Sequence, residues 1–179
     1  MKAAPLFCTI LFAALTLPAR AQGPQLPRPG PEHEILKKDV GVWDATLEMK
    51  PGPGMPPMTM TGTETSTLVG GRWLVTEFHS EMMGQPFEGR GLAGWDPDKK
   101  AYVGVWVDTM STRFSHSEST YDPETKTLTG WMEMPNPMGG TSRAKTIEEW
   151  PDEGTRIIRI YSTPDAPEPF MTMTYKKRK

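Results

Sequence analysis

The chain has 179 residues, with 20 Lys and Arg against 22 Asp and Glu, a formal net charge of −2. That balance, without a basic stripe, excludes a nucleic-acid binder, because neutralising phosphates takes clustered cations. The single cysteine, Cys8, lies in a segment expected to be removed, which leaves no disulfide, thiolate metal site or cysteine nucleophile.

Met1-Lys2 is a short cationic head. The apolar run Leu6–Leu15 follows, then Ala19-Arg20-Ala21. This is the layout of a secretory signal peptide with an A-x-A cleavage site. The run falls short of the roughly 20 apolar residues that span a bilayer. Residues 1–21 are therefore expected to direct export, to the periplasm or outside the cell, and then to be cleaved. No stable membrane insertion is expected afterwards. Loss of Lys2 and Arg20 leaves 158 residues with 18 basic and 22 acidic side chains. That length suits one domain with its own core, here residues 31–179.

Residues 22–30 form a Pro/Gly-rich, extended leader. Residues 31–40 predict a short helix, with Pro31 and acids at its start, lysines later and Gly41 to stop it. His33 is expected at its surface. From Trp43 the period changes to two: Trp43, Ala45, Leu47 and Met49 alternate with Asp44, Thr46, Glu48 and Lys50. Pro51-Gly52-Pro53-Gly54 breaks this strand. Residues 58–69 carry Thr at every second place from Thr59 to Thr67. Further strands are expected at 72–79, 87–95, 100–108, 113–121, 126–134, 143–150, 155–162 and 169–177. Two turns are near copies, Trp95-Asp96-Pro97-Asp98-Lys99-Lys100 and Tyr121-Asp122-Pro123-Glu124-Thr125-Lys126. Proline presets the turn dihedral and the Asp side chain can accept backbone N–H groups, so both read as hairpins.

About ten short strands joined by turns predict an all-β, antiparallel meander. A sheet this wide curls, and closure removes its adhesive edges, which favours a barrel over a two-sheet sandwich. The short helix would cover one end.

Gly41-Val42-Trp43 resembles the G-x-W signature of lipocalin-type (calycin) barrels. More specific is the order of Pro31-Glu32-His33-Glu34, Gly70-Gly71-Arg72-Trp73-Leu74, Met83-Gly84-Gln85-Pro86-Phe87-Glu88-Gly89, Gly94-Trp95-Asp96 and Trp106-Val107-Asp108-Thr109-Met110-Ser111-Thr112. Together they resemble an uncharacterised bacterial secreted family, domain of unknown function 1579, over residues 31–177. The resemblance implies a lipocalin-like barrel and no activity.

Candidate site residues come from four places. His79 shares a strand face with Trp73, Val75 and Glu77, and His116 shares one with Phe114 and Glu118. If those faces point inward, two imidazoles and two carboxylates would meet in one cavity and could orient a ligand or serve a barrel enzyme, alongside Asp108. The alternative is exposed strand histidines, and no H-x-H or H-E-x-x-H spacing marks a metal site. Tyr102, Gly104, Trp106 and Asp108 fall on one face, so Trp106, Asp108 and Met110 are candidates for a cavity mouth. The other reading of Asp108 is a strand end capped by Asp–Thr/Ser turn hydrogen bonds. Arg90 and Arg143 are further candidates for orientation, and Trp43 for apolar area. Met55, Met58 and Met60 resemble spaced thioethers for Cu(I), whereas Met132/Met134 and Met171/Met173 have the spacing of cavity or core fillers.

No nucleophile elbow or phosphate loop occurs, and Ser115 and His116 lie on opposite strand faces, so no catalytic motif emerges. No cofactor is implied. Glu148-Glu149 reads as solvated charge. The ligand-binding set is therefore Trp73, His79, Trp106, Asp108, Met110 and His116, for a small, largely apolar molecule. The alternatives are a Cu(I)-binding protein of the cell envelope and a structural module without ligand.

Overall fold

Alternation of side chains becomes a closed sheet in the computed structural model, which describes residues 27–50, 56–136 and 139–179. The predicted signal segment, Met55 and most of the leader lie outside these residues. The elements are α1 (His33–Lys37), β1 (Gly41–Met49), β2 (Met58–Val69), β3 (Trp73–Met82), β4 (Gln85–Asp96), β5 (Ala101–Asp108), β6 (Ser115–Asp122), β7 (Thr127–Pro135), β8 (Thr141–Asp152), β9 (Thr155–Tyr161) and β10 (Met171–Lys177). Each strand pairs antiparallel with its sequence neighbours. β1 also pairs with β10, Ala45 opposite Tyr175 and Met49 opposite Met171, which closes the barrel. No free strand edge remains among the described residues.

The two Asp-Pro turns form as their chemistry predicts. Asp96 Oδ1 accepts from the N–H groups of Asp98 and Lys99 at 3.0 and 3.1 Å. Asp122 accepts from Glu124 N–H at 2.9 Å and from the Thr125 hydroxyl at 2.9 Å. These bonds, the backbone one first, hold the Asp122 carboxyl below its ordinary pKa. Lys100 and Lys126 close the turns in the left-handed region, at φ 52° and 56°.

Both turns sit at one end of the barrel with α1. There Leu36, Leu74 and Tyr102 form a buried cluster, with Ile35, Val40, Trp95, Tyr121 and Leu128 packed on it. The Tyr102 hydroxyl donates to Glu32 O at 2.7 Å, and burial pushes the phenol up to about 12. His33 is buried, against the expectation of a surface position, because its Nδ1 lies 3.0 Å from Gly30 N and ties the incoming chain to the helix. α1 thus seals this end. A second cluster, Trp43, Ala45, Leu47, Phe78 and Tyr175, fills the middle of the β1–β3 and β10 side.

Candidate functional site: the far mouth of the barrel

The end away from α1 is built differently. The inward positions of β4 to β7 include Gly89, Gly91, Ala93, Gly104, Ser115, Ser117, Ser119 and Gly130. An eight-stranded barrel is about wide enough for side chains to fill. Ten strands with a wall of such small residues leave space. Several inward side chains towards the far end, including Met60, Trp106, Asp108, Met132, Met134, Ser142, Met171 and Met173, stay half-buried, so solvent reaches in between the strands. A cavity of about 530 Å³ opens here. Its lining is Met134, Ser142, Arg143, Ala144, Ser162, Pro169, Phe170, Lys50 and Glu168, a mixed apolar and polar wall. Lys50 and Glu168 bridge its rim at 2.7 Å, and Lys50 N–H donates to Phe170 O at 2.7 Å, so the strap before β10 is held to the end of β1.

Trp106 and Asp108 lie on the inner wall, as their shared face predicted. Trp106 Nε1 donates to Asp108 Oδ2 at 3.0 Å. Asp108 Oδ1 accepts from Met110 N–H at 2.9 Å. The carboxylate therefore serves both readings at once: it caps the turn and pins the indole. The indole lies flat over Gly89, where a Cβ would run into the ring. Met110 itself sits on the turn, 61% exposed.

The histidine half of the expected set does not join this interior. Leu74, Thr76 and Phe78 are the inward residues of β3, which leaves Trp73, Val75, Glu77 and His79 outside. Ser115, Ser117 and Ser119 point inward on β6, which leaves His116 and Glu118 outside. The interior pairing of His79 with His116 is thereby corrected: they lie on the outer wall, three strands apart. The enzyme arrangement of His79 or His116 with Glu77 or Asp108 in one cavity goes with it, since only Asp108 faces in. The physical reason is bulk, because Phe78 and the β5 aromatics need the inner volume and only small β6 residues fit opposite Tyr102 and Trp106. Arg90 lies outside near Glu77 at 3.6 Å, whereas Arg143 stacks over Trp131 at 4.2 Å and also lines the cavity at the far mouth. Trp43 faces in but is only 1% exposed, a core residue rather than a cavity wall.

One interior feature escaped the sequence. Arg156 is 3% exposed between β10 and the sealed end. Its Nη2 donates to Glu64 Oε1 at 2.6 Å, Nη1 lies 3.4 Å from Asp39 Oδ1, and Nε lies 3.8 Å from Glu148 Oε1. The guanidinium stacks on the Tyr175 ring at 3.9 Å. Ser66 donates to Glu64 at 3.0 Å, and Trp150 Nε1 donates to Asp39 Oδ1 at 2.8 Å. Trp43 Nε1 adds a bond to Asp39 O at 2.8 Å. Burial pulls the Arg156 pKa down, but Asp39, Glu64 and Glu148 outweigh it and keep the cation charged. Burial, reinforced by Asp39, pushes Glu148 up to about 8. Glu148 is thus no solvated twin of Glu149, which pairs outside with Arg159 at 2.8 Å. The signal was parity: Arg156 shares a face with Ile158 and Ile160, and Glu64 with Met60 and Leu68.

Among the described residues no group of three or more His, Cys, Asp or Glu side chains is placed to hold a metal ion. No helix among them is long and apolar enough to cross a membrane.

A family model described as "Protein of unknown function (DUF1579)" matches residues 28–177. No curated protein matches the sequence. The fold is similar to the crystal structure of Rv2717c from M. tuberculosis, with a TM-score of 0.58 and 11% identity over 84% of this chain and 99% of that one. A redesigned β-barrel is also similar, with a TM-score of 0.43 and 12% identity over 81% of this chain and 96% of the other. At such identities the likeness concerns the fold alone.

Proposed function

Because the chain belongs to the DUF1579 family of proteins of unknown function, its role has to be read from its own site, and we propose that it is an exported carrier of a small, largely apolar molecule held in the far mouth of the barrel. The observation that carries this reading is the cavity of about 530 Å³, of the size that ligand pockets have, lined by Met134, Ala144, Pro169 and Phe170 with Ser142, Arg143, Ser162 and the Lys50–Glu168 pair as placed polar groups. The Met134 thioether on this wall is flexible and polarisable, so it adapts to an irregular apolar shape. The sealed helix end leaves the far mouth as the way in. Export rests on the signal-peptide layout of residues 1–21.

Native mass spectrometry of protein purified from its own cell envelope tests this. The expected spectrum shows a co-purifying small mass at one per chain, lost on gentle activation. Only bare protein, after purification without detergent or organic solvent, would count against a carrier.

One observation favours a second reading, soft-metal binding. Met58 and Met171 both pair with Met49 across adjacent strands, so three inward thioethers stand side by side at the rim. On the concave face of a barrel such neighbours converge, and thioethers select Cu(I) and Ag(I). This set replaces the one read along the sequence, because Met55 lies outside the described residues. Titration with Ag(I) is expected to saturate at one ion per chain and to lose that site in the triple variant Met49→Leu/Met58→Leu/Met171→Leu. Equal affinity in the triple variant removes the reading.

A further inference from the structure

The outer wall carries an apolar face that neither reading uses. β5 points Val103, Val105 and Val107 outward, with Leu92 and Trp73 on one side and Trp131 on the other. Trp73, Leu92, Val105, Val107 and Phe114 keep 42, 43, 38, 38 and 63% of their surface exposed. A shallow depression of about 350 Å³ lies between the two indoles. The wall of β1 and β2 is the contrast, with Asp44, Thr46, Glu48 and the run of threonines outside.

Register gives this face an internal symmetry. Trp73 lies opposite Gly94, Gly94 opposite Val103, Val103 opposite Glu118, and Glu118 opposite Trp131. The two tryptophans therefore share one cross-strand row, each two strands from β5. In the next row Leu92 and His116 flank Val105.

We propose that this face is the contact of a symmetric dimer, its occupant a second copy of the chain, with the two-fold axis running along β5. A closed barrel offers no strand edge, so two copies meet wall to wall. Two convex walls touch along a line and diverge on either side. They pack when small side chains lie on the line and large ones at the flanks, which is the order here: valines at the centre, Leu92 and His116 next, indoles outermost. The axis sets each Trp73 against Trp131 of the other copy and valine against valine. Charge fits a twin as well. Arg90, Lys99 and Arg143 are interspersed with Glu77, Glu118 and Glu133, and Lys99 already pairs with Glu118 at 2.7 Å. Such a mixed rim selects neither a polyanion nor a polycation. Five strands at about 4.8 Å spacing span roughly 20–25 Å, the width of an interface burying about 800 Å² per partner.

Sedimentation velocity on the purified protein decides the matter. A reversible dimer is expected at about micromolar concentration. Val105→Glu is expected to sediment as a monomer with unchanged far-ultraviolet circular dichroism, while Thr46→Glu on the β1 wall, four strands from β5, stays dimeric. In a Cys8→Ser background, Val105→Cys is expected to form a disulfide with its own copy, because the residue lies on the axis; this arm holds even if Val105→Glu folds poorly. A wild-type monomer at about 100 µM, a dimer undisturbed by Val105→Glu, or a dimer in which Val105→Cys forms no crosslink would each overturn the proposal.

Discussion

Arg156→Ala is expected to lower stability by about 3–5 kcal/mol, the range seen when one partner of a buried ion pair is removed. For a domain of this size that is a fall in melting temperature of roughly 6–20 °C, read by thermal denaturation. The cost arises because Glu64, 4% exposed, and Asp39, 7% exposed, lose their cation but stay out of water. The stacked Tyr175 ring also loses its contact with the guanidinium. Asp39 follows α1, so the loss also loosens the seal at that end. The double variant Arg156→Met/Glu64→Gln should lose less than Arg156→Ala alone, because the charge left unpaired is then smaller. Equal stability of wild type and Arg156→Ala would mean that the four groups are hydrated in solution.

Glu148 gives the second large effect, and its sign is opposite to that of most carboxylates. Its folded-state pKa is pushed up to about 8 by burial and by Asp39. Between the ordinary carboxylate range, about 4.5, and 8, the folded barrel holds a proton that the unfolded chain has released. Stability therefore falls as pH rises through that window, by at most about 1.4 kcal/mol per pH unit, and levels off above it. The side chain is 16% exposed, so water takes up part of the charge and the total is about 2–4 kcal/mol. Asp44, Asp122 and Asp152, held below their usual pKa first by a side-chain bond from Arg178 and by backbone bonds from Glu124 and Gly154 respectively, act in the opposite sense and only at lower pH. Glu148→Gln is expected to match wild type near pH 4, to exceed it at about pH 9, and to flatten the decline between. Parallel pH profiles for the two proteins would show that Glu148 ionises normally in the fold.

The strands and the closed meander were legible because period-two alternation and Asp-Pro turns are local signals. Which face points inward was legible only where one face was clearly the more aromatic. On β5, Tyr102, Trp106 and Asp108 stand against valines, and that more aromatic face is the inner one. On β3 both faces carry large apolar residues, Trp73 and Val75 against Leu74 and Phe78, and packing against Trp43 and Phe87 rather than local pattern settles the matter. On β6 the usual rule inverts. Serines face in because they alone leave room, and His116 with Glu118 faces water. The charged interior was hidden for a similar reason: Glu148 read as solvated charge, Glu64 and Arg156 gave no local signal, and only closure of β10 on β1 brings the three together. The methionine row at the rim needed the same closure, since only the pairing of β10 with β1 brings Met171 to Met49 and its hairpin partner Met58.

The central claim is that the far mouth is an accommodating apolar cavity, and filling it is the direct test. Titration with anilinonaphthalene sulfonate, followed by fluorescence, is expected to show one saturable site at about micromolar affinity in wild type. Ala144→Trp or Ser142→Phe, which place a ring in the cavity, should abolish that site while leaving the melting transition cooperative. Binding of the same strength in both filled variants, or none in the wild-type protein, would contradict the assignment.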